Sequence, residues 1–582
     1  MPSSRRRATL ILLLSVASGA LLLSLALWMR GPLRSSLPAA LGPRMLVFEV
    51  PAQVDEGPPP PSPSFDLLRP DRPTFHELLM AVHRAADDHS VEGIVLHIRN
   101  VEWGWARVHE MTAALREFRA SGKPVYASLD GGGEAEYLLA SAASLVSMPP
   151  ISTLWIDGLT ASATFYGTGL TRIGVRPNFA RVGRYKSAVE AYTRDSLSVE
   201  AREELEVLVD DLYGLFVDSV AVARGLERDS VARLVDGGPY TGREALAKGL
   251  LDTLLTVAEL DSLATGSQSE KHGGRQSFTK YARSGTDGTG EHIALLVAEG
   301  EIVDGRSRDS GPFGGRTVGD ETLVEALREI GEDDAIRAVV LRVDSPGGSG
   351  DASDAVWQEL IRLRRKKPVV VSMGDLAASG GYYLACAGDA IVAGPGTITG
   401  SIGVFGGKFN VLGLYHKLGL NVETVSRGRN AGILSPYSDF SPEELEIFQR
   451  SLDQFYQVFL SRVAQGRDMT PAQVDSVAQG RVWSGRSAKD LGLVDATGGL
   501  MAALEIARER ADLPADAELV LEVYPRPKRT FVQRWVGDLL EEGTEDETTR
   551  IPGWSELLQA YQSNARARGG AQAMLPYTIR VR

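Results

Sequence analysis

The 582-residue chain has one cysteine, Cys386, which leaves no partner for an internal disulfide and no cysteine-built metal site. Histidine is scarce too: eight residues, none spaced like the HExxH pair of a metalloprotease. Neither a metal nor any other cofactor is expected. Positive charge is in deficit, with a net charge of -13 and no basic stripe in the folded region. That removes the electrostatic footprint of a nucleic-acid-binding protein. The low hydrophobic content and high charge that mark a disordered chain are also missing, since hydrophobic residues make up 43% and charged residues 24%. A core of this size divides, and the length alone suggests about two to four domains.

Long apolar runs are absent but for one. Arg5, Arg6 and Arg7 precede an uncharged stretch from Ala8 to Met29, with Trp28 and Arg30 at its far end. About 20 apolar residues cross a bilayer as a helix, and tryptophan and arginine belong at its interfaces. Residues 1–31 are therefore expected to be cytoplasmic arginines and a transmembrane anchor, with the rest of the chain outside the cytoplasm. A long cleaved signal peptide is the alternative. Residues 32–70 read as a proline-rich tether, with Gly57 to Pro63 marking the start of the folded part.

What is present is an internal repeat. VEGIVLHIR at 91–99 matches IRAVVLRVD at 336–344, and KPVYAS at 123–128 matches KPVVVS at 367–372. YLLASAASLVSMP at 137–149 matches YYLACAGDAIVAGP at 382–395, and YTGREALAKGLLD at 240–252 matches WSGRSAKDLGLVD at 483–495. Four segments in one order, offset by about 244 residues, indicate a duplicated domain rather than a solenoid. Each copy alternates buried-strand runs with helical stretches, such as 106–120, 198–224, 319–331 and 441–464. That pattern predicts α/β copies with parallel sheets. Ser441-Pro442 and Thr470-Pro471 read as helix starts. The expected organisation is a first copy over 71–261, a linker over 262–290, a second copy over 291–514 and an extension over 515–582 that includes the acidic run EEGTEDETT at 541–549.

The chemistry gathers in the second copy. Asp344-Ser345-Pro346-Gly347-Gly348 follows a strand, and Gly374-Asp375-Leu376-Ala377-Ala378-Ser379-Gly380-Gly381 follows the next. Ser379 stands at a helix start with little around it, and the glycines admit close backbone approach. Gly347-Gly348 can present the N–H groups that an oxyanion hole requires. Taken alone, the same residues also read as a helix cap and a turn. The repeat separates the readings. Ser379 falls on Glu134, and Gly347 and Gly348 fall on Glu102 and Trp103, so the first copy lacks both the serine and the glycine turn. With Gly183 set over Gly428, Lys186 falls on Ala431. One copy carries a lysine without the serine, and the other a serine without the lysine. This is the residue pattern of one site shared between two copies. A buried lysine can act as the base that activates a serine. A histidine triad would need His416, in the helical stretch LYHKLGL, with Asp344 or Asp375, and nothing places that histidine. Ser401, in Gly400-Ser401-Ile402-Gly403, could orient the lysine or simply make a turn.

These pieces, namely GRYKSAVE at 183–190, LRVDSPGG at 341–348, DLAASGGYY at 375–383, TGSIGV at 399–404 and the apolar amino terminus, resemble signal peptide peptidase A (protease IV) in its long, duplicated bacterial form. The resemblance covers roughly 75–505 in detail. It implies two tandem crotonase/Clp protease-like domains with repeated β-β-α units, preceded by one transmembrane helix. It also implies a Ser-Lys serine endopeptidase with Ser379 as nucleophile, Lys186 as general base and Ser401 orienting the lysine. Gly380 and Gly348 are the implied oxyanion donors. The implied partners are signal peptides and other flexible apolar peptides, the cytoplasmic membrane and further copies in a homotetramer. The implied location is the bacterial inner membrane, with the catalytic domains on its outer side. Asp344 departs from the family, where asparagine is common before SPGG, and is expected to tune the site rather than abolish activity. A crotonase-like enzyme acting on an acyl-CoA and an inactive membrane scaffold are the rival classes. Neither requires the complementary serine and lysine.

Overall fold

The structure is a computed structural model that describes residues 44–60, 72–265, 274–284, 290–309, 315–526 and the backbone of 572–574. The aliphatic and β-branched runs form two sheets. Strands Val91–Ile98 and Ile336–Ser345 are buried along nearly their whole length, as parallel strands covered on both faces must be. The first sheet runs Leu145–Ser147, Val125–Leu129, Val91–Ile98, Arg44–Glu49, Arg275–Ser277, all parallel. The second runs Val482–Ser484, Ile398–Gly400, Val369–Ala378, Ile336–Ser345, Glu291–Glu299, Leu519–Tyr524, and along this path only Val482–Ser484 is antiparallel to its neighbour.

The repeated segments take equivalent places. KPVYAS and KPVVVS enter the strands Val125–Leu129 and Val369–Ala378. The last matched pair is in both cases a short strand followed by a short helix: Tyr240–Thr241 then Gly242–Ala247, and Val482–Ser484 then Gly485–Asp490. The helical stretches appear as Trp105–Ala120, Val199–Arg224, Asp320–Glu332 and Pro442–Arg467. Ser441 and Glu444 cap the last of these reciprocally, at 3.1 and 2.9 Å. Three strands lie in stretches expected as tether, linker and extension: Arg44–Glu49, Arg275–Ser277 and Leu519–Tyr524. They are short, and each is held by the strand it pairs with.

The copies share a core. Leu115 and Phe118 of helix Trp105–Ala120 belong to the same apolar cluster as Val340 and Val370 of the second sheet and Leu500 and Leu504 of helix Leu500–Arg510. They also share a sheet. Strand Arg176–Val182 of the first copy pairs antiparallel with Val404–Asn410 of the second, in register from Val182 opposite Val404 to Arg176 opposite Asn410.

One expectation is corrected. Among the described residues no helix is long and apolar enough to cross a membrane. The two longest, Val199–Arg224 and Pro442–Arg467, have 26 residues each and are long enough to span, but acidic and basic side chains recur along both. The stretch 8–29 expected as an anchor lies outside the described residues. The single-pass topology, the inner-membrane location and the membrane as a partner are withdrawn with it, as is the homotetramer, which rested on resemblance alone.

Candidate active site

Strand Val369–Ala378 forks. Val370–Met373 pairs with Ala390–Ala393, and Leu376–Ala378 pairs with Ile398–Gly400 on the same side. The fork delivers the chain into Ser379 against the end of the second branch, where Ser379 N–H donates to Gly400 C=O at 2.8 Å. Ser379 has φ 56 and ψ -113, and Ser401, the residue immediately after the branch strand, has φ 49. Such angles are costly for a side chain bearing a Cβ and persist only where the surroundings impose them. Ser379 precedes helix Gly380–Ala385, yet its side chain makes no capping bond. The helix-cap reading therefore does not account for it.

Lys186 arrives from the other copy. The pairing of Val182 with Val404 ends the shared strand, and a turn at Gly183 (φ 104) brings the next residues back. Tyr185 N–H then donates to Gln479 C=O at 2.8 Å, seating the loop on residues 479–480 of the second copy. Gly480 (φ 79) packs on the lysine backbone so closely that a Cβ there would lie 2.5 Å from Lys186 N. Lys186 is fully buried. Its Nζ lies 2.8 Å from Ser379 Oγ, 2.9 Å from the Ser401 carbonyl oxygen and 3.0 Å from Ser401 Oγ. Burial holds the lysine pKa well below its usual 10.5, and Glu204 offsets this in part. Glu204, on helix Val199–Arg224, is itself buried and pushed up to about 8. One of its oxygens accepts from Val482 N–H at 2.8 Å, and the other has no partner. Val482 is paired with Gly400, so this carboxyl also braces the strand next to Ser401.

Gly347 and Gly348 lie against Gly380, the residue that follows the nucleophile. A Cβ on Gly380 would come within 3.0 Å of Gly347 Cα and 3.1 Å of Gly348 N. Gly380 opens its helix, so its N–H is one of the donors helical geometry leaves without an intrahelical acceptor. Gly348 (φ 157) runs close beside Ile302, whose carbonyl oxygen would be 1.9 Å from a Cβ, and only glycine fits there.

The carboxylates weighed for a triad do other work. Asp344 accepts from Leu376 N–H at 2.9 Å and from the Arg107 guanidinium. Asp375 accepts from Gly104 and Arg107 N–H at 3.0 and 2.9 Å, at the start of helix Trp105–Ala120. Arg107 also pairs with Glu56 at 2.9 Å, and Arg342 joins Glu56 to Glu110 at 3.0 and 2.9 Å. Burial pushes the Glu56 carboxyl up, but Arg342 and Arg107 together outweigh it and hold it at about 2. This buried network ties the first copy to the base of both active-site loops. His416 is exposed, and Ser379 has no histidine among its hydrogen-bond partners. Neither Arg107 nor Glu204 stands out in the sequence, because nothing local marks an arginine that will meet Asp344 and Asp375, or a glutamate that will meet Val482, each more than 200 residues away. Cys386 is buried, with its thiol pushed up to about 12, and is no rival nucleophile.

The sequence model of peptidase family S49 matches residues 117–268, which include Lys186, and 361–514, which include Ser379 and Ser401. The chain belongs to peptidase family S49. Among S49 relatives, the chloroplastic serine protease SPPA of Arabidopsis thaliana is 37% identical over 77% of this chain and 67% of its own. Protease 4 of Salmonella typhi is 35% identical over 76% and 72%, and a putative signal peptide peptidase SppA of Enterococcus faecium is 32% identical over 43% and 72%. As an S49 peptidase the chain is a serine endopeptidase, which removes the acyl-CoA enzyme and the inactive scaffold from consideration.

Proposed function

We propose that the peptidase reaction runs on a dyad of Ser379 and Lys186 contributed by different copies. The observation that carries this is the 2.8 Å approach of Lys186 Nζ to Ser379 Oγ with both residues fully buried. A neutral amine has two N–H donors and one lone pair. At Lys186 the donors serve the carbonyl and hydroxyl oxygens of Ser401, leaving the lone pair facing the Ser379 O–H. Ser401 thereby orients the base.

The steps balance. Lys186 takes the Ser379 proton as Oγ bonds to the scissile carbonyl carbon, and the oxygen becomes an anion facing the N–H groups of Gly380 and Gly348. The tetrahedral species collapses, the C–N bond breaks, and the lysine ammonium returns its proton to the leaving amine. A water then loses a proton to Lys186 and attacks the ester carbon, the bond from that carbon to Ser379 Oγ breaks, and the lysine ammonium returns its proton to Ser379 Oγ as the acid is freed. The substrates are flexible peptides with small or apolar side chains, spent signal peptides among them. The bare glycines at 347, 348, 380 and 381 suit close backbone approach, and one relative carries the name signal peptide peptidase. The test is turnover of an apolar fluorogenic peptide by purified Ser379→Ala and Lys186→Ala chains. Both are expected to fold and to lack activity, and normal turnover by either defeats the dyad.

A further inference from the structure

Helices Val199–Arg224 and Pro442–Arg467 are one element in two copies. Each has a serine N-cap, Ser198 and Ser441, and each ends at a left-handed C-cap, Gly225 and Asp468, so a single offset of 243 residues fits both ends. The same offset sets the ion pair Arg224–Asp252 over Arg467–Asp495, and buried Phe216 over buried Phe459. In that register Glu204 falls on Ile447. The copy that carries the lysine has a carboxyl at this position, and the copy that has Ala431 in its place has an apolar side chain.

The carboxyl is held where it can act on the lysine. Glu204 is 2% exposed, and its Oε1 accepts from Val482 N–H at 2.8 Å. Val482 pairs with Gly400, and the next residue, Ser401, accepts two hydrogen bonds from Lys186 Nζ. The helix is tied to the same stretch of the second copy twice more, through Asp211 to Ser484 and Ser487 and through Glu203 to Arg481 at 3.0 Å. Bracing alone does not call for an ionisable group, because a glutamine oxygen would accept from Val482 equally well. The other carboxyl oxygen, Oε2, has no partner among the described residues, and a buried polar atom left so costs stability that a purely structural role does not require.

Lys186 has need of a nearby charge. Its three hydrogen-bond partners, Ser379 Oγ and the carbonyl and hydroxyl oxygens of Ser401, are all neutral. Yet in each turnover it becomes a fully buried ammonium twice, once with the proton of Ser379 and once with that of water. Of the other charges around Glu204, Arg481 is paired with Glu203, and Glu190 with Arg181 at 2.9 Å. The field that opposes the lysine's burial comes from Glu204.

We propose that Glu204 is a positioning residue of the peptidase reaction: once ionised, it is the counter-charge for the ammonium that Lys186 forms. The inference rests on the dyad reading and extends it. No proton passes to or from Glu204 in either step, and it acts through Lys186 by charge alone. Burial pushes its own carboxyl up to about 8, so the counter-charge is absent below that pH and present above it. An opposite charge at close range changes a neighbour's proton affinity by about tenfold or more.

The test is steady-state kinetics on an apolar fluorogenic peptide from about pH 6.5 to about pH 9.5, with the full-length parent, Glu204→Gln and Glu204→Asp. Urea denaturation at both ends of the range confirms that each protein is folded. The parent's kcat/KM should rise a second time as Glu204 ionises. The ratio of parent to Glu204→Gln should grow about tenfold across the range, carried by kcat with a constant ratio of KM values. Glu204→Asp keeps the charge, and its ratio to Glu204→Gln should grow in the same sense. A parent-to-glutamine ratio that stays constant with pH overturns the inference and leaves Glu204 as a brace. Aspartate that behaves as glutamine also overturns it. The second rise needs no variant, so its absence from the parent is decisive even where a variant does not fold. Normal turnover by Lys186→Ala defeats the dyad and this inference with it, whereas an inactive Lys186→Ala with a constant ratio leaves the dyad standing and removes only the role of Glu204.

Discussion

Gly480→Ala should disable the enzyme without touching a reacting group. A Cβ at 480 would lie 2.5 Å from Lys186 N and 2.7 Å from its Cα and Cβ, where ordinary contacts begin at 3.4 Å. These are backbone atoms or their first carbon, so no side-chain rotation relieves the clash. About 1 Å must open between the 479–480 loop and the lysine, and a misplacement of that size costs about 100-fold in rate. That is about 2.7 kcal/mol in the barrier. The substitution also places alanine at φ +79, at about 1–2 kcal/mol of folding stability. Gly249→Ala supplies the control: its φ is +74 and nothing lies within 4 Å of the added carbon. Urea denaturation should show the backbone cost in both variants and a further loss of about 1–3 kcal/mol from the clash in Gly480→Ala. Steady-state kinetics on an apolar peptide should show the kcat loss in Gly480→Ala alone. If Gly480→Ala keeps kcat within about threefold of the parent, then an ångström of lysine displacement does not matter as argued, and the base is misassigned or the loop yields elsewhere.

Other outcomes follow from buried charge. Lys186→Met should abolish turnover yet leave the protein as stable or more so at neutral pH. The lysine binds a proton when unfolded but not when folded between its lowered value and 10.5, so its contribution to stability rises with pH across that window; the methionine variant should lose this slope in urea titrations at successive pH values. In the parent, kcat/KM should climb with pH as the lysine becomes neutral, and a flat profile through that range would count against Lys186 as base. Arg107→Met leaves Glu56, Asp344 and Asp375 without their shared cation and should cost about 3–5 kcal/mol by urea denaturation. Asp344→Asn keeps an acceptor for Leu376 N–H and should retain activity within about tenfold. Burial raises Asp344 to about 7, so the folded chain binds the extra proton between the ordinary carboxyl value of 3.8 and 7, and stability falls as pH rises through that interval. The asparagine variant should lack that fall.

The amino-acid sequence by itself determined the duplicated α/β plan and the division of the serine and lysine between copies. Buried parallel strands require continuous aliphatic runs, and those runs recur in VEGIVLHI and IRAVVLRVDS whatever else the chain does. Reciprocal differences at Glu134 and Ser379, and at Lys186 and Ala431, are visible in the sequence because the offset between copies is nearly constant. The tertiary structure alone decided how the halves meet. The pairing of Arg176–Val182 with Val404–Asn410, the buried charges joining Arg107 to Asp344 and Asp375, and Glu204 beneath the lysine all join residues more than 200 positions apart or depend on a neighbour supplied from elsewhere. So does the strand Gln572–Met574, three unremarkable residues whose conformation comes from the edges on either side. Local sequence encodes propensity and period. It does not encode which distant backbone or charge will stand opposite, and at this site those long-range encounters bring Lys186 to Ser379.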